Sequence, residues 1–219
     1  MKRHYSVLDR LLCELQHSIA THNQQLPVAQ KNLYQHFPLL PSEVVQPPLS
    51  PEESQHIAGC VRINHTGEIC AQALYRSQAL LAETDALKTM LLNAATEEEA
   101  HLHWCYVRLS ELNAKPSLLN PLWYAGSFLL GTLAGKFGKD VSLGFVVETE
   151  HQVSAHLDEH LHSIAARDLR TKTILIQMKK DEEQHAQHAK KQGAKIFSAM
   201  TQQSMHWMAK LMKIIVYRI

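Results

Sequence analysis

The chain has 219 residues, a formal net charge of +1 and 45% hydrophobic residues, enough for one domain with a sizeable core and too few for two comfortably. Near-neutral charge gives no electrostatic basis for binding a polyanion, so nucleic-acid binding is excluded as an expectation. Cys13, Cys60, Cys70 and Cys105 show no Cys-x-x-Cys spacing, which disfavours a zinc cage or a disulfide framework and suits a reducing compartment.

Met1 to Ala20 carries charges throughout and no apolar block, so it is not read as a secretory signal. Within it, Val7, Leu8, Leu11, Leu12, Leu15 and Ile19 recur at helical spacing and predict a short amphipathic helix. Asn23 to Leu49 holds five of the eight prolines and reads as an irregular connector. We therefore divide the chain into residues 1–50, helix plus connector, and residues 51–219, a helical bundle.

Ser50-Pro51-Glu52-Glu53 signals a helix start, with Ser as N-cap, Pro in the first turn and Glu three residues on. A first core helix follows to about residue 82, and a second from about 85 to 112. Ser117 to Gly135 is uncharged and apolar, but Asn120, Pro121 and three glycines break it, so it falls short of a transmembrane span. Further core helices are predicted over roughly 139–167 and 169–195, and an amphipathic one over 197–217. Nothing reads as a strand, and the predicted class is all-α.

Chemistry enters through two Glu-x-x-His pairs, Glu98…His101 and Glu182…His185, on separate core helices. Residues three apart share a helix face, so each pair can offer one carboxylate and one imidazole to the same cation. Glu68 lies thirty residues before Glu98, and Glu150 thirty-two before Glu182, as two similar hairpins would place them. Each glutamate falls on the apolar stripe of its helix: Glu68 seven after Val61, Glu98 seven after Leu91, Glu182 four after Met178. Glu97, Glu99 and Glu183 fall off those stripes and are expected in solvent. Glu148 and Glu150 compete on the third core helix. Glu150, four after Val146 and three before Val153, is preferred, with Glu148 as the alternative.

A buried ionised carboxylate costs several kcal/mol unless it is paired or bound to a cation, so four together demand a metal. Two divalent ions would be balanced by four glutamates with both imidazoles neutral. Hard carboxylate donors with imidazole suit iron or manganese. This is the ligand set of carboxylate-bridged di-metal sites in ferritin-like four-helix bundles with a long crossover, and it points to oxygen chemistry.

The residues also carry a family resemblance. Arg62-Ile63-Asn64-His65-Thr66-Gly67-Glu68, Glu98-x-x-His101, Pro121-Leu122-Trp123, Glu150 and Glu182-x-x-His185 resemble the demethoxyubiquinol hydroxylase family of ubiquinone biosynthesis, over roughly residues 55–219. The resemblance implies a ferritin-like di-iron monooxygenase with two Fe ions, held by Glu68, Glu98, His101, Glu150, Glu182 and His185, with Glu98 and Glu182 bridging. It implies O2 and a polyprenyl methoxy-benzoquinol as substrates, the quinol ring gaining one oxygen atom. It also implies a peripheral place on the cytoplasmic face of the bacterial inner membrane, with further copies of the chain or helper proteins of the pathway as partners. Animal members carry a His-Tyr pair six residues beyond the third glutamate, where this chain has His156-Leu157. His156 is a candidate proton relay or substrate contact; an ordinary packed histidine is the alternative.

Two segments are candidates for reaching a membrane-borne substrate. One is the apolar stretch 118–135. The other is the C-terminal helix, which sets Trp207, Met208, Leu211, Met212 and Ile215 on one face, with Lys210, Lys213 and Arg218 available for headgroups. Core packing or a subunit contact is the alternative for each. Competing functions are a tRNA hydroxylase, which should be basic, an iron-storage or peroxide-scavenging bundle, and a non-enzymatic quinone- or lipid-binding protein.

Overall fold

The computed structural model describes residues 47–219; the predicted N-terminal helix and most of the connector lie outside them. The described residues form six helices and no strand: α1 (Pro51–Leu80), α2 (Asp85–Glu111), α3 (Asn120–Lys136), α4 (Lys139–Ser163), α5 (Leu169–Lys191) and α6 (Ala199–Val216). α1 pairs with α2 and α4 with α5, while α3 crosses over along α1, and α6 lies against α1 and α4.

The start of α1 follows from its first four residues. Ser50 Oγ accepts from Glu53 N at 3.2 Å and Glu53 Oε2 accepts from Ser50 N at 2.7 Å, a reciprocal capping box with Pro51 in the first turn. Thr84, Asp168 and Ser198 cap α2, α5 and α6 through their side chains.

Two helices end earlier than their periodicity predicts. α5 stops at Lys191, not near 195, because Gly193 adopts φ +96°. Gly193 N donates to Lys190 O and Ala194 N to Ala189 O, closing a Schellman turn that a residue with a side chain enters only under strain. α4 stops at Ser163, not near 167. There Ile164 turns to extended backbone (ψ 153°) and buries its side chain in the core, and Asp168 opens α5 four residues later.

The apolar stretch is a helix that touches α1 backbone to backbone. A Cβ on Gly131 would sit 2.1 Å from Ser77 Oγ and 2.8 Å from Leu74 O, so only glycine permits this approach. The outer face of α3 leaves Leu122, Leu129 and Leu133 exposed, with exposed Leu118 before its start and exposed Phe137 beyond its end. The face expected on the C-terminal helix is divided between solvent and core. Met212 and Val216 turn inward onto Ile63, while Trp207, Met208, Leu211 and Ile214 face outward.

Residues 62–68 anchor much of this arrangement. Arg62 donates to Lys115 O at 2.9 Å and Tyr217 O at 2.7 Å. Asn64 Oδ1 accepts from His160 Nδ1 at 2.9 Å, and Thr66 donates to Asn120 Oδ1 at 2.8 Å. One turn of α1 thereby fixes the loop before α3, the start of α3, the end of α4 and the C-terminus.

The core of the bundle is divided. One apolar cluster gathers Ile57, Val61, Trp104, Leu109, Leu157, Leu175 and Met178. A second gathers Ala71, Tyr75, Leu91, Ala95, Leu143, Val146 and Ala189. On each of the four helices, the candidate glutamate falls between the two clusters in sequence. An acidic layer is therefore sandwiched between hydrophobic plugs.

At one end of this stack, Arg108 ties α2 to the start of α5. It donates to both Asp168 carboxylate oxygens at 3.1 Å and to Thr171 Oγ1 at 2.8 Å, all buried. Arg108→Met would strand a buried carboxylate, so we expect a loss of about 3 kcal/mol, read from urea unfolding. A loss below about 1 kcal/mol, the size of a surface pair, would contradict this role.

Candidate metal centre

The six predicted residues come together. Two overlapping groups, Glu68–Glu98–His101–Glu182 and Glu98–Glu150–Glu182–His185, each place their ligand atoms within 4.8 Å of one another, and all six residues are buried. Glu98 and Glu182 belong to both groups, and each divides its two oxygens between the two imidazoles. Glu98 Oε2 lies 3.0 Å from His101 Nδ1, and Glu98 Oε1 lies 3.1 Å from His185 Nδ1. Glu182 Oε1 and Oε2 lie 3.3 Å from the same two nitrogens in turn. Glu68 stands on the His101 side, 3.9 Å from its Nδ1, and Glu150 belongs to the His185 group.

These atoms are close without forming a complete hydrogen-bond network. Both oxygens of Glu182, Glu98 Oε1 and His185 Nδ1 are buried with no hydrogen-bond partner. An unsatisfied buried polar atom costs about 1–3 kcal/mol, more when charged, so four in one spot are explained by a cation on which they converge. The donor set, carboxylate oxygen with imidazole nitrogen, fits two iron or manganese ions.

Each imidazole is oriented from outside. His101 Nε2 donates to Asp181 Oδ2 at 3.1 Å, and His185 Nε2 donates to Glu97 Oε2 at 2.6 Å. Such a carboxylate–histidine pair fixes the ring tautomer and turns Nδ1 to the metal. The pairs cross: Asp181 precedes Glu182 on α5 but holds the histidine of α2, and Glu97 precedes Glu98 on α2 but holds the histidine of α5. Sequence reading missed this, although an acid immediately before each Glu-x-x-His was the visible signal.

Other placements correct the stripe argument. Glu97 is exposed as expected, and it also bonds His185, which its stripe position does not indicate. Glu99 is buried, at 2% exposure. Residues 98–102 are all buried, so α2 is covered around its circumference at this level and a single stripe does not describe it. Glu183 is exposed as expected, and Glu148 bonds Gln152 away from the centre. His156 stands apart from the six. Tyr75, unassigned by the sequence reading, donates its hydroxyl to Glu150 Oε1 and sets its ring edge-on to His185 at 6.2 Å.

Without metal, protons must do the compensating. Burial, then the negative neighbours Glu98 and Glu182, raise Glu68; burial with Glu182 and Glu98 raises Glu150. Burial alone would lower His101, but Asp181, Glu182 and Glu98 outweigh it and hold the imidazolium. His185 is raised in the same way by Glu182, Glu97 and Glu98 against its burial. Burial would raise Glu98 too, but its bond to His101 and the positive charges of His101 and His185 hold it low.

Above about pH 6.5 the unfolded chain has released the protons of His101 and His185 while the native metal-free chain holds them to higher pH, and Glu68 and Glu150 are shifted in the same direction. Their contribution is complete at low pH and is lost as pH rises, by up to ~1.4 kcal/mol per pH unit for each proton retained. Glu98 acts oppositely, its contribution being lost only in acid. Urea unfolding of chelator-stripped protein should therefore show stability falling from pH 6.5 to 8.5, with the slope flattened by metal; a flat metal-free profile would contradict the assignment.

Known proteins resemble this chain along most of its length. The family model described as ubiquinone biosynthesis protein COQ7 matches residues 55–215. A Xanthomonas campestris pv. campestris protein named 3-demethoxyubiquinol 3-hydroxylase is 49% identical over 216 residues, covering 99% of this chain and 96% of its own. A Xylella fastidiosa protein of the same name is 46% identical over 217 residues, covering 99% and 97%. The likeness thus extends through N-terminal residues that the motif resemblance left out. Among solved structures, a dodecameric thioferritin, the bacterioferritin-related protein from Bacteroides fragilis, superposes with a TM-score of 0.50 at 18% identity, over 63% of this chain and 84% of that one, which establishes a ferritin-like fold. With its motifs, its bundle and full-length relatives in accord, the chain belongs to the family of the ubiquinone biosynthesis protein COQ7.

Proposed function

We propose that this chain is a di-iron monooxygenase that hydroxylates the ring of demethoxyubiquinol with O2. The observation that carries the reading is the sharing of Glu98 and Glu182 between two donor groups, which suits bridging carboxylates between two ions. On this reading Glu68 and His101 complete one ion's protein ligands, and Glu150 and His185 the other's. Two iron ions bound there would supply dioxygen activation. The reaction replaces a ring C–H by C–OH; the second oxygen atom leaves as water, and the quinol or an external reductant provides two electrons.

The chain also offers a place for the ring. A cavity of about 320 Å³ lies between α1, α3, α4 and α6, lined largely by apolar groups including Trp123, Phe145, Met205, Met208 and Met212, within the usual size range of small-molecule sites. Leu74, Phe145 and Thr149 also border a crevice of about 10 Å³ that ends at Tyr75 and Glu150. The cavity therefore lies beside residues of the metal centre, with which it shares part of a wall.

His156 is buried in the cavity wall with Nε2 unpartnered. Burial, with the neighbouring His160 and Lys213, pushes its pKa well below the usual value, so the ring is neutral. It hydrogen-bonds the Gln152 backbone, which leaves Nε2 as an acceptor for a quinol hydroxyl and orients the ring without ionising it.

No helix of the described residues is long and apolar enough to cross a membrane. Peripheral docking is supported by the outward Leu122 and Leu129 of α3 and the outward Trp207, Met208 and Leu211 of α6. Lys210 stands over the Trp207 ring at 5.0 Å. Lys213, expected at headgroups, instead bonds Glu159 at 3.2 Å.

Glu182→Ala should abolish both iron loading and turnover with a short-chain demethoxyquinol; retained product would refute the assignment. His156→Phe should lower kcat/KM by roughly tenfold, the scale of one lost hydrogen bond, and His156→Gln should recover part of it. The double variant Trp207→Glu/Leu211→Glu should lose flotation with liposomes while keeping its iron content. Unchanged flotation would remove these residues from the docking face.

A further inference from the structure

A second cavity reaches the centre from another side. It has a volume of about 280 Å³ and is bordered by α1, α2, α4 and α5. Asn93 and Glu97, one turn apart on α2, and Gln184 and His188, one turn apart on α5, are exposed at its border. Tyr75 and His185 form its inner wall. His185, 8% exposed, has no hydrogen-bond partner at Nδ1.

We propose that this cavity is the port by which a hydrated divalent cation reaches the centre, with Glu97 and His188 as transient contacts on the way in. The proposal rests on reading the six residues as a metal site. Taking roughly 30 Å³ per water, the cavity holds about nine waters, room for an ion with its six-water shell. Its rim offers carboxylate, imidazole and amide groups that can exchange with those waters one at a time. The exposed Glu97 carboxylate at the rim draws positive charge to the opening. The apolar cavity is a poor alternative, because its largely hydrocarbon lining would take the ion's water without supplying ligands in exchange. His185 is the inner ligand that an ion arriving through this port meets first, and the bond from Glu97 holds that imidazole in place from the rim.

The test is the rate of metal uptake, independent of turnover. Chelator-stripped full-length protein is mixed with Co²⁺, which dioxygen leaves unoxidised on this timescale, and its ligand-field absorption is followed by stopped flow. Asn93→Leu/His188→Leu plugs the rim at exposed helical positions while leaving Glu97 and His185 intact. This variant should load about tenfold or more slowly, the scale on which a focusing cleft accelerates capture, yet reach the same final cobalt content and the same melting temperature. Raised ionic strength should slow the unmodified chain more than the variant. Met208→Trp, which narrows the apolar cavity, should leave uptake unchanged. Uptake by the plugged variant at the unmodified rate, or equal slowing by Met208→Trp, would overturn the port. Absence of uptake by the unmodified chain would instead overturn the metal-site reading, and the port with it.

Discussion

Four glutamates buried at one level of a helical bundle are the constraint to which the rest of the structure answers. A carboxylate in hydrocarbon surroundings is tolerated only with a counter-charge or a proton, and here Glu68, Glu98, Glu150 and Glu182 are each no more than 2% exposed. The two imidazoles, the crossed outer carboxylates Asp181 and Glu97, and the phenol of Tyr75 all serve that compensation. The apolar core gives way to them, splitting into two plugs. Much of the sequence motif at 62–68 works at a distance, locking the surrounding elements so that Glu68 is held on the inner face.

What was legible in the sequence was what repeats with helical period. Val61, Leu91, Val146 and Met178 mark stripes on which the four glutamates lie, and local chemistry at Ser50-Pro51-Glu52-Glu53 marks where the first helix begins. Glu150 could be preferred over Glu148 by facing alone, and the structure places Glu150 with the other donors. The end of α5 was also written locally, in Gly193, but unbroken polarity through Lys195 concealed it.

What was not legible depends on neighbours from distant parts of the chain. The burial of Glu99 arises because α2 is covered all round at that level, which no single-helix pattern contains. The Asp181–His101 and Glu97–His185 pairs require α2 and α5 to face each other in one register. Met212 and Val216 turn inward because Ile63 of α1 lies beneath them, which takes Met212 from the face that Trp207, Met208 and Leu211 keep outward. The 320 Å³ cavity belongs to four helices at once, and no one of them encodes it.

The divided core has a consequence for the life of the protein in the cell. A continuous hydrophobic column would hold the bundle together unaided, whereas two plugs separated by repelling acids draw part of their cohesion from a bound cargo. A ligand held by the native state alone stabilises it by RT ln(1 + [L]/Kd), so the folded fraction rises and falls with the free ion concentration. Under scarcity the empty form opens more often and is the one that proteases remove. Abundance of the chain would then track the supply of its metal through turnover.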